Sequence, residues 1–305
     1  MAKDKGILLE SGTNELEILE FTVGGNYYGI NVAKIREVMK YQELTTVPNA
    51  HPFIEGAFNT RGETISIIDL ARCLNLPESD DPSNDMMLIT SFNEVNTGFH
   101  VTNVVGIYRV NWANIIEPDT MLNSGHDSVI TGIVHLNDTL ILMIDFEKIV
   151  SEISPEAGIN LNQVRALGKR DKNNKPILYA EDSQFLRRLI SNGLNDAGFT
   201  NVTSFSNGLD LWNYLQNLKN EGTVEKEVRC VVTDIEMPKM DGHRLLKLMR
   251  EDPDLKDIPV IIFSSLIDDE MYRKGESLGA NAQLSKSEMG EFILKLDELL
   301  AAKRD

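Results

Sequence analysis

The spacing of apolar residues changes part-way along this chain, and that change constrains the fold more than any single motif. Up to about residue 145 the apolar residues alternate. Leu19, Phe21 and Val23 are separated by Glu20 and Thr22, and Ile65 and Ile67 by Thr64 and Ser66. A period of two places every second side chain on one face of a strand, so these segments read as half-buried strands. Turn residues separate them at Gly24-Gly25-Asn26, Val47-Pro48-Asn49, Arg61-Gly62, Asn123-Ser124-Gly125 and Leu136-Asn137-Asp138. Later strands are expected at Val129 to His135 and Thr139 to Ile144, and short helical patches at Val32 to Met39 and Leu70 to Leu76. Short strands with turns at this spacing predict a barrel or paired barrels rather than βαβ units.

From Pro176 the pattern becomes strand then helix, repeated. Continuous apolar runs Ile177 to Ala180, Cys230 to Val232 and Val260 to Phe263 suit parallel strands covered on both faces. Between them Leu186, Leu189, Ile190 and Leu194 share one helical face, as do Phe292, Ile293, Leu296 and Leu299. The expectation is a doubly wound (βα)5, flavodoxin-like domain over residues 176–305, following an all-β double-barrel domain over residues 1–152. Residues 153–175 lie between the two. They are short of large apolar residues, and Arg165, Lys169, Arg170, Lys172 and Lys175 face a single Asp171, so a solvated linker is expected. A helix over Ile159 to Leu167 that docks is the alternative. Fully flexible, the segment would span about 25–30 Å.

The balance of 30 Lys+Arg against 47 Asp+Glu, −17 in total, argues against a surface that wraps nucleic acid or lies on anionic lipid. A DNA-binding regulator would also need a basic helix-turn-helix domain, which the strand-rich first half does not offer. Cys73 and Cys230 sit far apart in apolar segments and read as buried free thiols of a reducing compartment. The opening residues carry no signal-peptide core, and no apolar run reaches membrane-spanning length, so a cytoplasmic protein with no membrane insertion is expected.

In an open parallel sheet, ligands bind beyond the carboxyl ends of the strands. Glu181 and Asp182 close the first expected strand of the second half and Asp234 closes the third. Ser264 follows the fourth, and Lys286 follows Ala282 to Ser285. Three carboxylates meeting in one cleft repel each other and call for a divalent cation. Hard oxygen donors without histidine or thiol make it Mg2+. A carboxylate nucleophile, Mg2+, a lysine and a hydroxyl are the parts of an aspartyl-phosphate site. Asp241, ahead of Gly242 and a Leu-rich helix, reads as an N-cap.

The run Asp234-Ile235-Glu236-Met237-Pro238-Lys239-Met240-Asp241-Gly242 resembles the phosphorylation loop of response-regulator receiver domains, and residues 176 to about 302 resemble that family throughout. The resemblance implies Asp234 as phosphoacceptor and Asp182 as main Mg2+ carboxylate with Glu181 beside it. Glu236 would lend its backbone carbonyl to the metal, Ser264 would be the switch hydroxyl and Lys286 the phosphate-pairing lysine. The chain departs from the family in three places: Glu181 stands where Asp is commonest, Gln283 where an aromatic switch residue is usual, and Ser287 where proline usually follows the lysine. A trans bond or an altered loop is expected after Lys286. A receiver that keeps this fold without being phosphorylated is an alternative. A metal-dependent phosphatase is another, with Glu236 as the second acid two residues after Asp234.

The first half shows no catalytic pattern: His51, His100, His126 and His135 have no ligand spacing among themselves or with Cys73, and no phosphate loop or triad occurs. That silence suggests a binding module. Phe21 to Tyr41, with Tyr27-Tyr28-Gly29-Ile30 and a helix at Ile35-Arg36-Glu37-Val38, resembles the CheW family of chemotaxis coupling domains over residues 15 to 150, as does Phe53 to Gly62 followed by Ile67 to Leu70. In Asn59-Thr60-Arg61-Gly62, Gly62 permits a tight turn that presents Arg61, either to a partner carboxylate or to brace its own loop. Glu37, on the short helix, is a candidate receptor contact or a solvated charge. Val38 and Val47 belong to an apolar docking surface or to the core.

A coupling domain followed by a receiver is the arrangement of CheV-type hybrid coupling proteins. By that resemblance the chain is a signalling adaptor, not an enzyme beyond its own phosphoryl transfer and autodephosphorylation. Its implied partners are chemoreceptor cytoplasmic tips and the chemotaxis histidine kinase. Phosphorylation of Asp234 would act as a switch or as a phosphate sink.

Overall fold

A computed structural model describes residues 14–60, 62–92, 95–118, 129–136, 138–154, 158–267 and 269–302. They form two compact units, one built on residues 17–109 and 115–160, the other on residues from 161 onward with residues 14–16 and 110–114.

The first unit is rich in strands: β1 (Glu15–Val23), β2 (Asn26–Asn31), β3 (Ile35–Lys40), β4 (Ile54–Thr60), β5 (Glu63–Asp69), β6 (Met86–Phe92), β7 (Val95–Val101), β8 (Asn103–Asn111), β9 (Ile130–Leu136) and β10 (Thr139–Ile144). Helix α1 (Leu70–Cys73) follows β5, and α2 (Phe146–Ile153) follows β10. The strands form two five-stranded sheets, ordered β8-β1-β2-β10-β9 and β3-β6-β7-β5-β4. Period-two patterning explains the core. Leu19, Phe21 and Val23 turn inward to join Leu88, Phe99 and Phe146 from the other sheet and α2. The Phe99 and Phe146 rings meet edge-on at 4.7 Å. Ile65, Ile67, Met87 and Ile89 form a smaller core.

The helix expected over Val32 to Met39 is instead one 3-10 turn, Val32–Lys34, followed by edge strand β3. A β-bulge between Ile35 and Glu37 breaks the alternation and leaves Arg36, Glu37 and Val38 exposed in succession. Half-buried Val32, Ile35 and Met39 stand three and four residues apart, a spacing that imitates a helix.

The second unit contains α3 (Leu161–Ala166), β11 (Ile177–Ala180), α4 (Gln184–Asp196), β12 (Val202–Phe205), α5 (Gly208–Glu221), α6 (Val224–Glu227), β13 (Cys230–Thr233), α7 (Gly242–Glu251), β14 (Val260–Ser264), α8 (Asp269–Ser277), β15 (Ala282–Ser285) and α9 (Met289–Ala301). Five parallel strands run in the order β12-β11-β13-β14-β15. The continuous apolar runs are its three central strands, buried along their whole length. Within the segment expected as a linker, α3 packs on α4 and α9 and buries Val164. Both cysteines are free, Cys230 buried and Cys73 half-buried. Among the described residues no helix is long and apolar enough to cross a membrane.

Candidate functional site

Strand order reverses about β11 and β13, and a doubly wound sheet opens its ligand crevice at that point. Glu181 and Asp182 leave β11 there and Asp234 leaves β13; one carboxylate oxygen from each lies within 4.8 Å of the others. Lys286, just past β15, reaches in: its Nζ is 2.8 Å from Asp234 Oδ2 and 2.9 Å from Glu181 Oε2. Glu181, Asp234 and Lys286 are all buried, and Asp182 is half-buried. Low local dielectric strengthens these ion pairs, and the same burial makes an excess of negative charge costly.

Backbone donors fix the acids. Ile235 N–H donates to Asp234 Oδ1 at 2.6 Å. Ser183 N–H donates to Glu181 Oε1 at 3.2 Å and to Asp182 Oδ1 at 2.9 Å, while its hydroxyl caps α4 by accepting from Leu186 N. Arg187, one turn into α4, donates from Nη1 to the carbonyls of Glu181 (2.5 Å) and Asp182 (3.2 Å). Ser264 is buried at the end of β14, where its hydroxyl accepts from Leu266 N at 3.3 Å. Glu236 is buried two residues beyond Asp234.

The loop after Asp234 folds back onto the end of β13. Gly242 N–H donates to Ile235 O at 2.9 Å, and a Cβ at Gly242 would stand 1.9 Å from Asp234 O. Only glycine lets α7 start there. Asp241 caps α7, accepting from Arg244 N at 2.7 Å, and burial pushes its carboxyl up to about 6. Gln283 folds against α8 and donates from Nε2 to Tyr272 O at 2.7 Å. The Lys286–Ser287 bond is trans.

The donor set fits Mg2+: three carboxylates, no nitrogen or sulfur, and one lysine against three acids. The structure thus brings together Glu181, Asp182, Asp234 and Lys286, with Glu236 and Ser264 bordering them. Arg187 and Ser183 were not legible as site residues. Ser183 carries an N-cap signal before an amphipathic run, whereas Arg187 carries none.

The first unit places its candidates at the surface. Glu37 and Val38 lie on edge strand β3, not on a helix, and Val38 and Val47 are 36% and 40% exposed rather than in the core. Arg61 lies outside the described residues. Beside it Gly62 adopts φ +86° and Thr60 pairs with Glu63, the turn that the glycine implied.

Sequence spacing also hid a polar network in this unit. His100 on β7 has Nδ1 3.0 Å from Glu55 Oε2 on β4 and Nε2 3.0 Å from Asp85 Oδ2, and Tyr41 donates its hydroxyl to Glu55. Burial disfavours a charged His100, but the two carboxylates outweigh it and hold its pKa above the ordinary 6.5. A raised histidine contributes stability that is complete below its unfolded value of about 6.5 and is lost as pH rises through the folded value. Urea midpoints of the first unit are therefore expected to fall above that pH in wild type, and to fall less in His100→Gln. Parallel curves for the two proteins would remove the network from the account.

A CheW-like domain is matched over residues 17–154 and a response regulator receiver domain over residues 177–296. Chemotaxis protein CheV3 of Helicobacter pylori is 30% identical over 304 residues, covering 94% of this chain and 95% of that one. Chemotaxis protein CheV2 of the same organism is 26% identical over 309 residues, covering 94% of each. Chemotaxis protein CheW of Thermotoga maritima is 27% identical over 151 residues, covering 50% of this chain and 98% of that one. With both domains matched in order and a relative aligned along nearly its whole length, the chain belongs to the CheV family of chemotaxis proteins, a CheW-like domain joined to a response regulator receiver domain.

Proposed function

We propose that this chemotaxis adaptor couples chemoreceptor cytoplasmic tips to the chemotaxis histidine kinase through its CheW-like half, and that phosphorylation of Asp234 modulates the coupling. The observation that carries the reading is the buried cluster of Glu181, Asp182, Asp234 and Lys286 at the switch point of the receiver sheet. Glu37, Val38 and Arg61 are the residues proposed to face partners.

Glu181, Asp182 and Asp234, with the backbone carbonyl of Glu236, would hold Mg2+; when bound, the ion supplies positive charge against an incoming phosphoryl group. Ile235 N–H and Lys286 hold one oxygen each of Asp234, so the nucleophile has a single orientation. An Asp234 oxygen forms a bond to phosphorus while the bond from phosphorus to the donor's leaving group breaks, and that group departs with the electron pair. Lys286 then pairs with the phosphoryl oxygens and the Ser264 hydroxyl donates to one of them. Glu236, buried two residues after Asp234, and Leu266, buried two residues after Ser264, offer poor orientation to an attacking water, which supports a persistent switch over a sink.

The test is a reconstitution of receptor signalling domains, histidine kinase and this protein. Wild type and Asp234→Asn are expected to support receptor control of the kinase equally in the absence of a phosphodonor. With acetyl phosphate and Mg2+, only wild type changes the kinase response. Equal responses in both proteins would leave an adaptor whose receiver is a docking domain.

A further inference from the structure

The geometry points to Gln163, on the helix that leads into the receiver, as a positioning residue for Lys286, with docking of α3 and phosphorylation of Asp234 thermodynamically coupled. The inference rests on the phosphorylation reading above and assigns to the connecting segment a part in the chemistry.

Gln163 closes two hydrogen bonds onto the loop that carries Lys286. Its Nε2 donates to Ser287 O at 2.9 Å, on the residue directly after the lysine. Its Oε1 accepts from Gly290 N at 2.9 Å, in the first turn of α9. Helix starts leave their first N–H groups without intrahelical partners, and Glu288, at the N-cap of α9, makes no side-chain cap bond. A side chain from another helix therefore caps α9 at the point where the chain emerges from Lys286.

The surface that receives α3 is shaped for close approach. A Cβ at Gly193 on α4 would lie 3.1 Å from Leu161 Cδ2 and 2.3 Å from Met289 Cε. A Cβ at Gly290 would lie 3.3 Å from Gln163 Cβ. Val164, 2% exposed, completes the seat. Two glycines on two helices and a buried valine define one register for α3.

The other end of the same short segment is the ion pair. Lys286 is buried and divided between Glu181 and Asp234. When acetyl phosphate reacts, a bond forms from Asp234 to phosphorus, the bond from phosphorus to the acetate oxygen breaks, and acetate leaves with the electron pair; no net proton is exchanged. Lys286 must then exchange its carboxylate partners for phosphoryl oxygens. Its backbone neighbour is the carbonyl held by Gln163, so a shift of the lysine strains that bond. Linkage requires the reverse as well: what loosens α3 changes the free energy of reaching the phosphorylated state.

The experiment uses the full chain as wild type, Gln163→Met and Gln163→Glu. Methionine keeps the apolar stem and loses both bonds. Glutamate keeps the acceptor for Gly290 N–H and loses the donor to Ser287 O. With Mg2+ and acetyl phosphate, followed by intact mass, Gln163→Met is expected to lower the maximal phosphorylation rate about tenfold, the scale of one or two lost hydrogen bonds. The half-saturating donor concentration should stay within about twofold, and Gln163→Glu should fall between the two proteins. In metal-free protein, hydrogen exchange of the amides from Lys286 to Gly290 should accelerate in Gln163→Met, and in wild type the α3 amides should exchange faster once phosphorylated. Wild type that gains phosphoryl mass at the same rate as Gln163→Met, with unchanged α3 exchange, overturns this inference alone. Wild type that gains no phosphoryl mass overturns the phosphorylation reading and the coupling together.

Discussion

Incubated with Mg2+ and acetyl phosphate, wild-type protein gains the mass of one phosphoryl group, whereas Asp234→Asn gains none and still melts within about 4 °C of wild type. The two halves of this result have separate causes. Chemically, the amide has no carboxylate oxygen to attack phosphorus, and no other described acid is held by both Ile235 N–H and Lys286. Energetically, the substitution removes an attraction to Lys286 at 2.8 Å, and also a repulsion from Glu181 and Asp182 at up to 4.8 Å. At the effective dielectric of such sites these opposing interactions are each on the order of 3–6 kcal/mol, and they nearly cancel. Lys286 keeps Glu181 as partner, so no buried charge is stranded. Mg2+ should raise the melting temperature of wild type more than that of Asp234→Asn, because binding to the native state alone stabilises it. A phosphoryl group on the variant, or none on wild type in the presence of Mg2+, would take the acceptor role from Asp234.

The second large effect is structural. Gly242→Ala puts a methyl carbon 1.9 Å from Asp234 O, 2.9 Å from its carbonyl carbon and 3.0 Å from Thr233 Oγ1. No rotamer change relieves this, because the nearest atoms are backbone at the end of a central strand. Either α7 shifts, breaking the bond from Gly242 N–H to Ile235 O, or Asp234 itself moves. Overpacking commonly costs about 1–3 kcal/mol, and with rigid backbone on one side the upper end applies. Scanning calorimetry of the full chain should show the receiver transition lowered by about 10 °C and the CheW-like transition unmoved. Gly222→Ala is the control. There φ is +67° with nothing within 4 Å of a Cβ, so only the left-handed backbone penalty of about 1 kcal/mol applies. Equal losses in the two variants would mean that the contact with Asp234 O is not what requires glycine.

What could be read from the sequence follows a physical division. Glu181, Asp182, Asp234, Ser264 and Lys286 each stand at the end of a short run, and in a parallel sheet strand ends converge by topology, so order along the chain is enough to bring them together. Arg187 acts through backbone carbonyls, and no residue pattern marks such a partner. The Tyr41, Glu55, Asp85 and His100 network joins residues from β4, β7 and the segments just after β3 and just before β6, with no spacing that a metal or triad template would detect. Strand β3 was disguised by a bulge that adds one residue and interrupts the alternation, leaving Arg36, Glu37 and Val38 exposed in succession. The connecting segment reads as solvated because charges dominate it, yet Leu161, Val164 and the amide of Gln163 dock its helix.

The nesting of the two CheW-like sheets bears on how this half is made. β2 pairs in parallel with β10, Tyr28 opposite Leu142, while the strands of the entire second sheet, β3 to β7, lie between them in the chain. Loop closure over such a distance is slow, and the edge of β2 cannot be covered until β10 has been synthesised. During translation the β3–β7 sheet is thus free to assemble first, as an insert within an unfinished partner, with the β1–β2 hairpin waiting beside it. An open strand edge held for that long is a template for pairing with other chains, so the interval between synthesis of residues 31 and 139 is when a nascent copy is most exposed to aggregation.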